Sequence, residues 1–264
     1  MEPNLIAGAL NVATNAALEA GRTISQNITQ LDRVKVNKKS THEMVSEVDI
    51  RAEADIIEIL DAAYPKFNIL SEESGKTDRQ SDVSWIIDPM DGTHNFLHGH
   101  PQCAVSIALV EGSTVLLAVV YDPLRNELFT ARKGGGAKLD GRRMRVSEVT
   151  RLSDSLVCTG FPHREGKETK QWLRSFATML PRAQSIHRTG SSVLDLAYTA
   201  AGRYDGLWQY GLKPWDTAAG SLLIQEAGGL IADISGDTDV FKSGNLVAGN
   251  PKVFEKMMHI LKSA

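Results

Sequence analysis

Only two cysteines occur in the 264 residues, Cys103 and Cys158, and they have no CxxC spacing. A disulfide scaffold is thereby excluded, and both thiols fall in stretches that read as buried strands, where cysteine is ordinarily a small core residue rather than a ligand. A reducing cytoplasm is the simplest compartment. No apolar run exceeds Val115 to Tyr121, far short of the ~18 residues a membrane span needs. A secretory leader is not expected, because Glu2 stands near the start and no basic residue precedes Arg22. Neither sign of charge dominates: 29 Lys+Arg against 32 Asp+Glu give a net charge of -3, which offers no global field to nucleic acid or an anionic membrane. Any anion must therefore be held by local chemistry. Repeats, low-complexity tracts and long linkers are also missing. What remains is an ordinary globular composition, 42% AVILMFWYC with 22 glycines, and a length that fits one to two domains.

Apolar spacing predicts an amphipathic helix from Asn4 to about Ile28, with a small-residue face of alanines. A second helix follows Ser46 and Asp49, running through Ile56 and Leu60 until Pro65 stops it. Asp49 thus sits at a helix start, as a cap or as a site residue. Strands are expected over Phe67–Leu70 and Trp85–Ile87. A hairpin of Cys103–Val110 and Thr114–Tyr121 turns at Glu111-Gly112, and a strand near Glu127–Thr130 and a tight turn at Asp140-Gly141 follow. Beyond Arg145 strand and helix alternate: strand Leu156–Thr159, helices around Lys170–Leu180, Val193–Ala201 and Trp215–Ala227, strands Gly229–Asp233 and Leu246–Gly249, and helix Pro251–Leu261. The change of pattern divides the chain into an α+β segment, 1–145, and an α/β segment, 146–264, packed together.

The most informative segment is Ser84 to Phe96, SWIIDPMDGTHNF. An apolar strand delivers Asp88 at its end, Pro89 breaks it, and Asp91-Gly92 turns the chain. Both carboxylates and the Met90 carbonyl can share one side of this loop, as hard oxygen ligands suited to Mg²⁺. The Gly92 and Thr93 N–H groups can meet a phosphate where a short helix begins. Taken alone, such a turn is ordinarily a plain surface turn. Ser71-Glu72-Glu73-Ser74 places acids beyond another strand end and taken alone reads as a solvated loop. Asp216, in Pro214 to Gly220, reads as a helix cap.

Together these segments resemble the inositol monophosphatase family, Mg²⁺-dependent, lithium-sensitive sugar phosphatases, and more closely its bacterial members. Its boxes stand here as ILSEES (Ile69 to Ser74), WIIDPMDGTHNF (Trp85 to Phe96), PWDTAAG (Pro214 to Gly220) and QEAGG (Gln225 to Gly229). The similarity extends through VVYDPLRNELFTA, TGFP, LDLAYTAAGRYDG and VAGNP, over nearly the whole chain. The fold implied is the layered αβαβα sugar-phosphatase fold, an α+β / α/β arrangement shared with fructose bisphosphatases, with one active site between the two segments.

The resemblance implies that Glu72, Asp88, the Met90 carbonyl, Asp91 and Asp216 ligate two or three Mg²⁺. Converging carboxylates would raise one another's pKa in an empty site, which independently argues for cations. It implies hydrolysis of a phosphate monoester by metal-activated water, with Thr93 paired to Asp49 helping to take the water's proton and Glu72 in the catalytic set. For the substrate it implies Asp91, Gly92, Thr93, Gly190, Ser191, Ser192, Gln209 and Asp216. Gln209 stands where the family usually has a Glu, and His94 replaces the usual Thr; the amide keeps hydrogen bonding but not charge. Met90 replaces Ile or Leu without consequence for a backbone ligand. Adenosine bisphosphate phosphatases commonly carry Lys-Glu where His94-Asn95 stands. The resemblance further implies a homodimer and, from bacterial members, a role in ribosomal RNA transcription through the antitermination machinery and RNA polymerase. That scaffold or regulator role is the alternative to catalysis, beside action on other sugar, polyol or nucleotide phosphates.

Three further features read as bland. Lys133-Gly134-Gly135-Gly136 lacks the GK[ST] ending of a phosphate loop and reads as a turn. Arg142, Arg143 and Arg145 read as a solvated hairpin face. Five of the seven histidines, His42, His100, His163, His187 and His259, lack metal spacing; His94 and His98 are four apart and could face together, but an oxygen-rich site does not need them.

Overall fold

The computed structural model describes residues 2–38, 44–162, 167–237 and 239–263; His42 and His163 lie outside them. The first half opens with helix α1 (Pro3–Asn27), a two-stranded ribbon of β1 (Val36–Lys38) and β2 (Met44–Ser46), and helix α2 (Glu47–Ala63). Strands β3 (Asn68–Ser71), β4 (Gly75–Thr77) and β5 (Val83–Asp91) follow. After the short helix α3 (Thr93–Leu97) come β6 (Ala104–Glu111), β7 (Thr114–Asp122), β8 (Glu127–Arg132), β9 (Gly136–Leu139) and β10 (Arg142–Arg143). The strands from β3 onward form an eight-stranded sheet in the order β10-β9-β8-β7-β6-β5-β3-β4, antiparallel except for the parallel β3–β5 pair.

The second half builds a five-stranded sheet in the order β12-β11-β13-β15-β14, from β11 (Leu156–Thr159), β12 (Ser185–His187), β13 (Gly206–Gln209), β14 (Leu230–Asp233) and β15 (Leu246–Gly249). Its helices are α4 (Lys167–Met179), α5 (Ser192–Ala200), α6 (Pro214–Glu226), α7 (Val240–Ser243) and α8 (Pro251–Lys262). The alternation of the central strands explains the layering. Trp85, Ile87, Val105, Ile107, Leu117 and Val119 face α1 and α2, whose alanines at 9, 13, 16, 17 and 20 are fully buried. Ile86, Ala104, Ala108, Ala118 and Val120 face the other way, onto α5 and α6 and, through them, Leu207, Leu246 and Ala248 of the second sheet. The outer face of that sheet is closed by α4 and α8 over Trp208, Val157 and Val247. Five layers result, helix-sheet-helix-sheet-helix.

Helix α6 is apolar all round because it lies in the middle layer; Thr217 to Ile224 are all buried. It approaches α5 so closely that a Cβ on Gly220 would stand 2.5 Å from the Leu196 Cβ. Among the described residues no helix is long and apolar enough to cross a membrane. Both cysteines are free and buried, as expected.

Candidate functional site

The ends of β3 and β5, the start of α2 and the N-termini of α3, α5 and α6 meet at one place. Asp49 is placed by local capping. Ser46 is the N-cap of α2, and Asp49, at the third helical position, reaches back so that its Oδ2 accepts from the Ser46 N–H at 2.8 Å and the Ser46 hydroxyl at 2.6 Å. Its other oxygen, Oδ1, stands 2.7 Å from the Thr93 hydroxyl. Thr93 Oγ1 also lies 3.2 Å from the Met90 carbonyl, but one hydroxyl proton serves one acceptor, and the shorter contact to a carboxylate takes it. Asp49 is therefore both a cap-box acid and a partner of Thr93.

Strand β5 does not end at Asp88, as the Pro89 reading had it. Pairing with β6 resumes at Asp91 opposite Ala104 after a bulge between Asp88 and Asp91. Proline is tolerated there because a bulge removes the ladder bond its missing N–H would have made. The consequence is functional: the bulge throws Asp88, Met90 and Asp91 into one compact turn, in which the Met90 N–H donates to Asp88 Oδ1 at 3.1 Å. Gly92 then takes φ +96°, and a Cβ there would stand 2.6 Å from the Gln102 carbonyl oxygen, so only glycine fits. The first N–H groups of α3 have no intrahelical acceptor.

Asp216 is not the cap of α6. Pro214 takes the first helical position, which makes Lys213 the N-cap and Asp216 the third residue; its Oδ2 accepts from the Lys213 N–H at 2.7 Å. The device is that of Asp49 on α2. Ser106, opposite Asp88 on β6, reaches the Trp215 carbonyl at 3.3 Å and ties the start of α6 to the sheet.

Asp88, Asp91 and Asp216 each bring a carboxylate oxygen within 4.8 Å of the others. Glu72 stands outside that trio, though its charge reaches Asp88 and Asp216. Burial pushes the Asp88 carboxyl well above the usual range, and the charges of Glu72, Asp91 and Asp216 add to it. Burial likewise raises Asp91 to about 6, against the hydrogen bonds from Ser191 and Val193, and raises Asp216 well above its ordinary value. Such a cluster is a poor set of neighbours for one another and a good set for hard divalent cations, so the residues present fit Mg²⁺.

The second half supplies mostly donors. Gly190 has φ +91°, Ser191 caps α5 and gives its hydroxyl to Asp91 at 2.5 Å, and the Val193 N–H gives a second bond to the same oxygen at 2.8 Å. Ser191 thus holds an acid, and Ser192 begins the helix. Gln209, on β13, is buried, and its amide nitrogen donates to Asp195 Oδ2 at 3.2 Å; Thr189 donates to Oδ1 at 2.6 Å. Burial pushes Asp195 up to about 8. Sequence reasoning missed Asp195, whose one signal was an acid in the first turn of α5. It also missed Asn95, whose amide donates to the Gln102 carbonyl at 2.8 Å and the Thr189 carbonyl at 3.1 Å, joining the two halves. His94 and His98 belong to no metal-holding group among the described residues.

A layered sheet sandwich with an acidic trio at the strand and helix ends is the architecture of the sugar phosphatases. A family model described as "Inositol monophosphatase family" matches residues 7–263. The chain belongs to that family. Among relatives, it is 45% identical over 251 residues to the Nus factor SuhB of Escherichia coli, covering 94% of each chain. The crystal structure of the extragenic suppressor protein suhB from Bartonella henselae superposes with a TM-score of 0.94 at 40% identity, over 97% of this chain and 99% of that one. The inositol monophosphatase from Anabaena gives 0.83 at 33% identity, over 97% and 95%. The αβαβα arrangement expected from the resemblance is the one observed.

Proposed function

We propose that this chain is a cytoplasmic Mg²⁺-dependent phosphomonoesterase that hydrolyses inositol monophosphates to inositol and phosphate. The observation that carries the reading is the convergence of Asp88, Asp91 and Asp216 within 4.8 Å, contributed by both halves of the chain. Glu72, Asp88, the Met90 carbonyl, Asp91 and Asp216 would hold two or three ions. Ions held there would neutralise charge and lower the pKa of a water so that, with its proton taken, it can attack phosphorus. The chain's own residues do the rest. Thr93, hydrogen-bonded to Asp49, orients the attacking water and passes its proton toward Asp49 Oδ1. The Gly92 and Thr93 N–H groups bind phosphate oxygens at the start of α3. Gly190, Ser191, Ser192 and Gln209 line the side on which the alcohol leaves; with its nitrogen engaged by Asp195, Gln209 offers its oxygen to a substrate hydroxyl. Segments 1–145 and 146–264 close on this one site and act as one folding unit, and the working form is a homodimer sensitive to Li⁺.

The substrate test is a phosphate-release panel over inositol phosphates, glycerol phosphates, fructose 1,6-bisphosphate and adenosine 3′,5′-bisphosphate. Inositol 1-phosphate is expected to give the highest kcat/KM; a bisphosphate preferred by tenfold overturns the substrate assignment.

A second reading is favoured by the 45% identity to a relative named Nus factor. In it the chain also docks on the antitermination machinery or RNA polymerase, with catalysis secondary. Asp88→Asn distinguishes the two: rescue of a deletion strain by the inactive, folded variant supports docking, and failure to rescue counts against it.

A further inference from the structure

Glu53 is a buried acid that the chemistry above does not use. It lies on α2 one turn beyond Asp49, on the same face and about 6 Å further along the axis, and is 5% exposed. No Lys or Arg among the described residues forms an ion pair with it. Its Oε2 instead accepts two donors from the turn after β3: the Ser71 hydroxyl, and the Glu73 backbone N–H at 3.0 Å. These two residues flank Glu72. The Glu72 N–H itself donates to the Ile87 carbonyl at 3.2 Å, continuing the parallel pairing of β3 with β5.

A buried carboxylate with no described cation beside it relies on its hydrogen bonds to offset the cost of leaving water. An amide or a backbone turn could pin a loop for less. The location gives the cost a use. Rigid helix α2 carries Asp49, which holds Thr93, and Glu53, which holds both neighbours of Glu72. We propose that Glu53 is a positioning residue for cation binding: by clamping Ser71 and Glu73 it fixes Glu72 at a set distance from the Asp49–Thr93 pair and from Asp88. Without the clamp, the turn on both sides of Glu72 loses two of its ties, and the Glu72 carboxylate is no longer held at that distance from Asp88. The inference rests on the phosphatase reading of the site.

The test is isothermal titration calorimetry of Mg²⁺ alone into the full chain, with thermal melting alongside. Glu53→Ala removes both acceptor contacts and is expected to weaken Mg²⁺ binding by roughly tenfold or more, the usual scale for groups that orient ligands. Glu53→Gln can set its amide oxygen where Oε2 stands and go on accepting from both the Ser71 hydroxyl and the Glu73 N–H; binding is expected within about threefold of the parent. Asn68→Ala is the structural control. Asn68 lies on the same strand, is 6% exposed, and bridges the Ser81 carbonyl and the Arg79 N–H at 2.6 Å each. Its loss should lower the melting temperature and leave Mg²⁺ affinity within about twofold. If Glu53→Ala does not fold, Glu53→Asp, one methylene too short to reach both donors, takes its place with the same expected weakening. Unchanged affinity in the Ala or Asp variant, or an equal loss in Asn68→Ala, overturns the proposal while leaving the metal site standing. Absence of any Mg²⁺ binding by the parent chain overturns both.

Discussion

The two sheets serve one cleft differently. The eight-stranded sheet and α2 contribute Asp49, Glu72, Asp88 and Asp91, held at strand ends or by cap-box geometry. The five-stranded side contributes Asp216 and a set of donors: the Ser191 hydroxyl and the Val193 N–H fasten Asp91 of the first half, and the Gln209 amide fastens Asp195 of its own. Acids that must sit close together despite repulsion need stiff attachments, and a bulged central strand provides them. The groups proposed to meet the alcohol stand instead at a helix N-terminus and on a short strand. A second pair of regions makes the same point. The Asp88–Gly92 turn and the Lys133–Gly136 turn both bring glycine N–H groups to a sharp bend. The latter is already filled: the Gly134 and Gly136 N–H groups donate to the two oxygens of Glu226 at 2.6 and 2.7 Å. Turned N–H groups of this kind can bind an anion, and at Gly134 and Gly136 the chain's own carboxylate already takes that place.

If the first side carries the chemistry, Asp88→Asn should lower kcat by ~10³-fold or more, since it removes the acid at the centre of the cation cluster. Circular dichroism checks that the variant is folded. Retention of a tenth of the parent rate breaks the comparison. Thr93→Ala should cost on the order of 10²-fold in kcat with KM little changed, as expected of a group that acts on the water's proton; a KM effect alone would move Thr93 to the recognition side.

The acid cluster also predicts a pH-dependent response to metal. Asp91 at about 6, with Asp88 and Asp216 also raised by burial, means that the metal-free fold binds more protons than the unfolded chain. Stability from these groups is complete below their unfolded pKa near 4 and is lost as pH rises through 6 and above. Mg²⁺ replaces the protons, so its stabilisation should grow with pH, by roughly 5 °C more in Tm at pH 8 than at pH 5. Equal shifts at both pH values contradict the cluster.

On the recognition side the effects should be smaller. Gln209→Ala should raise KM for inositol 1-phosphate about fivefold, the worth of one hydrogen bond, with kcat within about twofold. Smallest of all, Glu226→Ala empties the filled glycine turn: it should lower Tm by roughly 2–4 °C and leave turnover unchanged.

Where local rules suffice, the sequence reading matches the fold. Helices α1, α2, α5, α6 and α8 fall within a few residues of their apolar periodicity, and Leu156–Thr159 and Leu246–Gly249 are strands over the expected residues. What escaped is non-local. Strand β13, GLWQ, becomes a strand because β11 and β15 flank it, and nothing in its four residues shows that pairing. The α6 start moved because Pro214 claims the first turn. Glu72, Asp88, Asp91 and Asp216 stand in the segments that resemble the family's boxes, whereas the convergence of the last three needs the sheet order. Asn95 and Glu53 act on partners far along the chain, and Asp195 on a glutamine of the unforeseen strand β13; Glu53, spaced four residues from Asp49 on a helix, and Asp195, an acid in the first turn of α5, left the readable traces.

The central claim is that acids from both halves form one cation site that hydrolyses a phosphate monoester. Phosphate release from inositol 1-phosphate, measured with EDTA and then with Mg²⁺ restored, tests it most directly. The expected result is no release with EDTA, full recovery with Mg²⁺, and loss of that recovery in Asp216→Asn. Full release in EDTA, or an Asp216→Asn variant that recovers like the parent, would contradict it.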